Sequence, residues 1–188
     1  MELYNHERFN NWLNRLRETD VDTEKAESFA VFDQMVEDFV VACLNIIKAV
    51  KNREIKKSDG ISEIDKMNEL LNVKVDLGDE IKNEFFEFTK EGLKAVLQSF
   101  RYYLDGKSSK KDFEALLKDA VNREKKGDLE GALDLIARMG VKVLKGEKLP
   151  EDIEIPEDSI VLNWLDGIDA INTALILSEI DVANASEE

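Results

Sequence analysis

The chain has 188 residues, 43% of them hydrophobic, and a formal net charge of −15. That length and composition suit one packed domain that buries about 70% of its unfolded surface, and they exclude wholesale disorder. The charge excludes a general nucleic-acid or anionic-membrane binder, and one Cys with one His excludes intrachain disulfides and nearly all Cys/His metal sites.

The first predicted element is an amphipathic helix within residues 1–18. Phe9, Trp12, Leu13 and Leu16 recur at helical spacing along one face. Thr19 to Thr23 break it and offer N-caps for a second helix, Glu24 to about Asn52. That helix carries a long stripe from Phe29 through Phe39, Cys43 and Ile46 to Val50, and would span roughly 40 Å. Ser58-Asp59-Gly60 reads as its end. Ser62-Glu63-Ile64-Asp65 then resembles a capping box for a short helix through Leu71. Val73 to Leu77 alternate like a strand, but a lone strand has no pairing partner, so an extended connector is expected.

A third long helix is predicted from Gly78 or Asp79 to about Leu104. Its core stripe reads Ile81, Phe85, Phe88, Val96, Leu97, Phe100 and Leu104, and Asp105-Gly106 stops it. Residues 107–148 form a predicted αα-hairpin, capped at Ser108 or Ser109 and turning at Lys125 to Asp128. Residues 146–156 are an acidic linker holding both prolines. A final buried helix starts at Pro156 or Glu157 and runs to about Ile180, leaving 183–188 as a frayed tail. The sum is a single all-α domain over 1–188, a helical bundle of six or seven helices with two long spine helices, the hairpin and the last helix.

The start, Met1 to His6, lacks the pattern of a secretory signal, and the lone Cys43 in an apolar run points to a cytoplasmic protein. The most apolar window, Ile160 to Leu177, contains Asp166 and Asp169. Each would cost roughly 2.5–3.5 kcal/mol at a bilayer centre, so a soluble core helix is expected and no membrane contact.

Chemical motifs are sparse. No glycine-rich phosphate loop occurs, and the glycines read as helix-end caps. His6 reads as an exposed polar residue and Cys43 as a buried thiol, so no nucleophilic pair is expected and no cofactor. One carboxylate arrangement is worth weighing. All-α nucleotide pyrophosphohydrolases pair an ExxE on one helix with an ExxD on another. Glu24-Lys25-Ala26-Glu27 and Glu84-Phe85-Phe86-Glu87 match the first half, no ExxD exists, and Asp166-Gly167-Ile168-Asp169 is the nearest substitute. In that alternative, Glu84, Glu87, Asp166 and Asp169 hold a divalent metal. Asn172, inside the apolar arc of the last helix, is expected to make a buried hydrogen bond that fixes its register.

Charge is unevenly spread. Residues 107–148 carry a net +3, whereas 149–188 carry 11 acids and no Lys or Arg. The acidic linker is expected to pack near the hairpin's lysines, Lys125 and Lys126 among them. A second alternative makes that hairpin a docking face for RNA machinery. The leading expectation is a non-enzymatic interaction or adaptor protein that binds another protein or a second copy of itself. Tyr4, Phe9 and Trp12 are its candidate anchors, and Lys125 and Lys126 its candidate charged contacts.

Two blocks carry a family resemblance: Glu7-Arg8-Phe9-Asn10-Asn11-Trp12-Leu13-Asn14-Arg15-Leu16-Arg17-Glu18, and Asn163-Trp164-Leu165-Asp166-Gly167-Ile168-Asp169-Ala170. With them the whole chain resembles the archaeal domain of unknown function 2150 family. The resemblance implies an archaeal source and a small cytosolic helical protein, and it transfers no active-site residues.

Overall fold

In the computed structural model the backbone is described for residues 3–185 and the side chains as far as Ser178. Among the described residues there are seven α-helices and no strand: α1 (His6–Glu18), α2 (Ala30–Lys51), α3 (Lys57–Leu70), α4 (Glu80–Asp105), α5 (Phe113–Lys125), α6 (Leu129–Leu144) and α7 (Ile160–Ala185). A short 3-10 turn, Ala26–Phe29, leads into α2. The all-α bundle expected from the periodicity is the fold observed. Val73 to Leu77 form an unpaired connector.

Helix starts follow the side chains that can satisfy free backbone N–H groups. Asn5, Asp79, Asp112 and Asp128 cap α1, α4, α5 and α6, each accepting from a backbone N–H three residues on. The cap of α5 is therefore Asp112, not Ser108 or Ser109. α7 starts later than Pro156 and is capped from outside itself. The Glu124 carboxylate of α5 accepts from the Ser159 hydroxyl and, at 2.8 Å, from the Ile160 N–H. Residues 183–185, expected to fray, continue α7, and 186–188 lie outside the described residues.

Two further boundaries differ from the sequence reading. α2 begins at Ala30 because the chain is held back by the 3-10 turn, where the Ser28 hydroxyl bonds the backbone of Asp22 and Lys25. Gly60 does not end a unit; it lies inside α3, which starts at Lys57. A Cβ there would stand 2.8 Å from Val50 Cγ2 and 3.3 Å from Ile46 Cγ2, so this glycine lets α3 sit directly on α2. The chain reverses instead at Arg53, in the left-handed region at φ 61°.

α4 is the hub, packed against α2, α3, α6 and α7. Its neighbours approach closely because their contact residues are small. Gly106, Gly127 and Gly146 follow the ends of α4, α5 and α6 with positive φ, as the helix-end reading expects, but Gly60, Gly92, Gly140 and Gly167 lie within helices and Gly131 in the first turn of α6. Gly140 of α6 rests on Ser99 of α4, and Gly167 of α7 rests on Gly92 of α4. Around these crossings Phe32, Phe39, Phe86, Phe100 and Leu97 are fully buried in one core.

Candidate functional site

α4's apolar stripe is longer than the core available to it. Val96, Leu97, Phe100 and Leu104 are buried as expected, but Ile81 is 45% exposed and Phe88 49% exposed. These two belong to the surface, not to the core stripe predicted for them. The cause is geometric. Toward the start of α4 its neighbours cover the side that carries Phe86 and Thr89, and Phe85 packs on Phe29 and Phe32 at its edge. Ile81 and Phe88 are left outside.

α7 shows the same imbalance. Ile160–Ser178 is long and apolar enough to cross a membrane by length and composition, yet only 33% of that stretch is buried. Val161, Trp164, Leu165, Ile168 and Ile171 enter the core, and the Trp164 indole N–H donates to Glu91 at 3.0 Å. Beyond them Leu177 is 50% exposed. Asn172 is half-buried, so it does not occupy the enclosed position that a register-fixing hydrogen bond would require.

The uncovered parts of α4 and α7 meet α2 around a groove of about 600 Å³. Phe85 and Phe88 contribute from α4, Leu177 and Thr173 from α7, and Val36 from α2. Four carboxylates share it: Asp33 and Glu37 from α2, and Asp166 and Asp169 from α7. Among the described lining residues there is no Lys or Arg. Loss of hydration raises the Asp166 pKa above the ordinary carboxylate value, and the charges of Asp169 and Asp33 raise it further. Desolvation raises Asp33 as well. The groove therefore holds more negative charge than it neutralises internally.

The other sequence candidates fall elsewhere. Tyr4 and Phe9 are buried against Phe39, with ring centroids 4.4 and 6.3 Å away. Trp12 is half-buried, donating to Asp38 at 2.8 Å beneath the Arg15 guanidinium. These three anchor α1 to α2 rather than project from it. Glu84 and Glu87 are exposed, lie outside the groove, and Glu87 pairs with Lys90 at 2.7 Å. The structure thus separates them from Asp166 and Asp169. Among the described residues, no three His, Cys, Asp or Glu side chains converge closely enough to hold a metal ion. His6 is exposed, and burial pushes the Cys43 thiol well above its usual pKa.

Lys125 and Lys126 are both exposed. Lys125 lines a second cavity, of about 550 Å³, with Phe113 and Lys118 of α5 and Asp152, Ile153 and Glu154 of the linker. The linker does run along the hairpin, but Lys111 and Lys142 pair with Asp119 and Glu147 rather than with the acids of 151–158. Asp33 and Glu37 are the groove carboxylates that the sequence did not single out. Their signal was a pair of carboxylates at i, i+4 on α2, which means nothing until α7 is placed beside it.

Comparison with known proteins bears on the same residues. The family described as an uncharacterized protein conserved in archaea, DUF2150, matches residues 2–182. The chain belongs to this family. No curated protein and no solved structure matches it. The family match spans all seven helices except the last residues of α7, so the groove lies wholly within it.

Proposed function

We propose that this archaeal family member is a non-enzymatic helical interaction protein, with the α2–α4–α7 groove as its docking face. The observation that carries this reading is the pair of exposed apolar side chains, Phe88 and Leu177, in the wall of an acid-rimmed groove. Apolar side chains gathered in a groove and rimmed by polar residues are one mark of an interaction surface. Their burial would return about 25 cal/mol per Å² of apolar surface covered. The carboxylates alongside would set orientation and partner choice.

The test uses the full chain produced in an archaeal host. Wild type should co-sediment with a second protein or a second copy, and a Phe88→Asp/Leu177→Asp variant with an unchanged melting temperature should lose it. Retention of every partner by that variant would remove the groove as the docking face. Mg²⁺-dependent turnover of a nucleotide, abolished by Glu84→Gln or Asp169→Asn, would replace this reading with the metal-dependent hydrolase.

A further inference from the structure

The α2–α4–α7 groove divides its surface in a way that specifies an occupant. Gly92 and Gly167 close its bottom by bringing the α4 and α7 backbones into contact, and Ala170 and Ala174 add only methyl groups there. Its apolar wall is Phe85, Phe88 and Leu177. Its remaining rim is the four carboxylates Asp33, Glu37, Asp166 and Asp169, with no Lys or Arg among the described lining residues. Along α7 the lining runs from Asn163 to Leu177. At 1.5 Å per residue that is about 21 Å, or nearly four helical turns.

Resting on the docking reading above, we infer that the groove takes a basic amphipathic helix of another protein, about four turns long. Its apolar stripe at i, i+3/i+4 and i+7 lies on Phe88 and Leu177, and its flanking Lys and Arg meet the rim acids. Charge decides against the other occupants. A second copy docking by this same face would bring two sets of four carboxylates together, and a two-fold interface must be self-complementary. An anionic membrane is repelled by the same rim. A small polyamine would satisfy the acids but leave Phe88 and Leu177 in water.

Two synthetic helices of about 15 residues provide the probes, matched in apolar face and differing only in flanks of Lys/Arg or Glu. Each is titrated calorimetrically into the full chain at low salt. The Lys/Arg helix should bind at least about tenfold more tightly than the Glu helix, and added salt should weaken it. Phe88→Ser should weaken it at least about fivefold, as should Asp166→Asn/Asp169→Asn, with melting temperatures that confirm folding. Equal binding of both helices, binding of neither, or binding unchanged by either variant would overturn the inference. If neither helix binds while the archaeal partner is still lost from Phe88→Asp/Leu177→Asp, the docking face stands and only the occupant's chemistry is wrong. If that partner is retained as well, both fail.

Discussion

Gly167 of α7 lies so close to Gly92 of α4 that a Cβ on Gly167 would stand 2.9 Å from the Gly92 carbonyl carbon and 3.1 Å from its Cα. Both obstacles are backbone, which cannot rotate away. Gly167→Ala must push α7 off α4, and the gain in helix propensity of about 0.5–1 kcal/mol will not offset an overpacking cost of about 2–3 kcal/mol. Gly92→Ala meets the Asn163 carbonyl oxygen at 3.3 Å, a contact that a small shift relieves. Set against the same propensity gain, that leaves Gly92→Ala near wild type, so urea unfolding should place Gly167→Ala below both. Equal stability of the three would mean that the crossing is looser than the geometry states.

Asp38 holds α1 in place. Its carboxylate accepts from Arg8 Nε at 2.9 Å, from Arg8 Nη2 at 2.5 Å and from Trp12 Nε1 at 2.8 Å. The pairing raises the Arg8 pKa and keeps the guanidinium charged. Asp38→Ala removes a charge-assisted pair and leaves the half-buried indole N–H without its acceptor, at a cost of about 2–3 kcal/mol. Trp12 fluorescence should shift to the red as the ring gains water. An unmoved emission maximum would show that Phe9, Leu13 and Leu16 hold α1 alone.

These two relationships show what the sequence could and could not reveal. The caps Asp79 and Gly106 follow from local backbone needs, so both ends of α4 were readable from the chain. Gly60 reads as a turn because Ser-Asp-Gly is a turn signature, and only the proximity of Val50 explains its place inside α3. The predicted core stripe includes Phe88, which is 49% exposed, and omits Phe86, which is 1% exposed. Helical spacing already puts Phe86 on the side of Leu104, about five turns on, and Phe88 roughly 160° from it, but which parts of α4 stay uncovered depends on where α2 and α7 sit. The groove was invisible for the same reason. Asp166 and Asp169 stood out by their spacing, but Asp33 and Glu37 join them only through the packing of α2 on α7.

Asp166 makes stability depend on pH in a stated direction. Its folded pKa is raised, first by desolvation and then by Asp169 and Asp33. A raised carboxylate costs nothing at pH values below its unfolded pKa, where both states are protonated. The penalty grows as pH rises through the folded pKa and is complete above it. Asp166→Asn should therefore stabilise the protein at neutral pH and not in acid. The side chain is solvent-accessible, so the gain is held to about 0.5 kcal/mol, a shift of about 1–2 °C in Tm. Thermal melts of both proteins across pH 3–7 (about the carboxylate range) would show it. A gain that persists undiminished in acid would assign the effect to something other than charge.

Glu124 reaches from α5 to the start of α7, accepting from the Ser159 hydroxyl and the Ile160 N–H. A carboxylate at a helix N-terminus satisfies an orphan donor and complements the dipole. Glu124→Ala should cost about 1–2 kcal/mol, and Glu124→Gln less, because the amide oxygen still accepts. Amide exchange should quicken in the first turn of α7 and leave α1 untouched. Uniform quickening across the chain would mean that Glu124 stabilises the fold globally and not through this terminus.

The adjacent phenylalanines of α4 separate fold from function most directly. Phe86 is 1% exposed and sits in the core, whereas Phe88 is 49% exposed on the groove wall. Phe86→Ser exchanges a buried ring for a cavity and a hydroxyl, which should cost about 3–5 kcal/mol. Phe88→Ser removes a ring that is already half in water and should change stability by no more than about 0.5 kcal/mol. It should also lower any tendency to aggregate, since the exposed apolar patch shrinks. Chemical denaturation of the two variants side by side decides the matter. A Phe88→Ser cost comparable to that of Phe86→Ser would place Phe88 in the protein's own core, and the docking face would then lose its principal anchor.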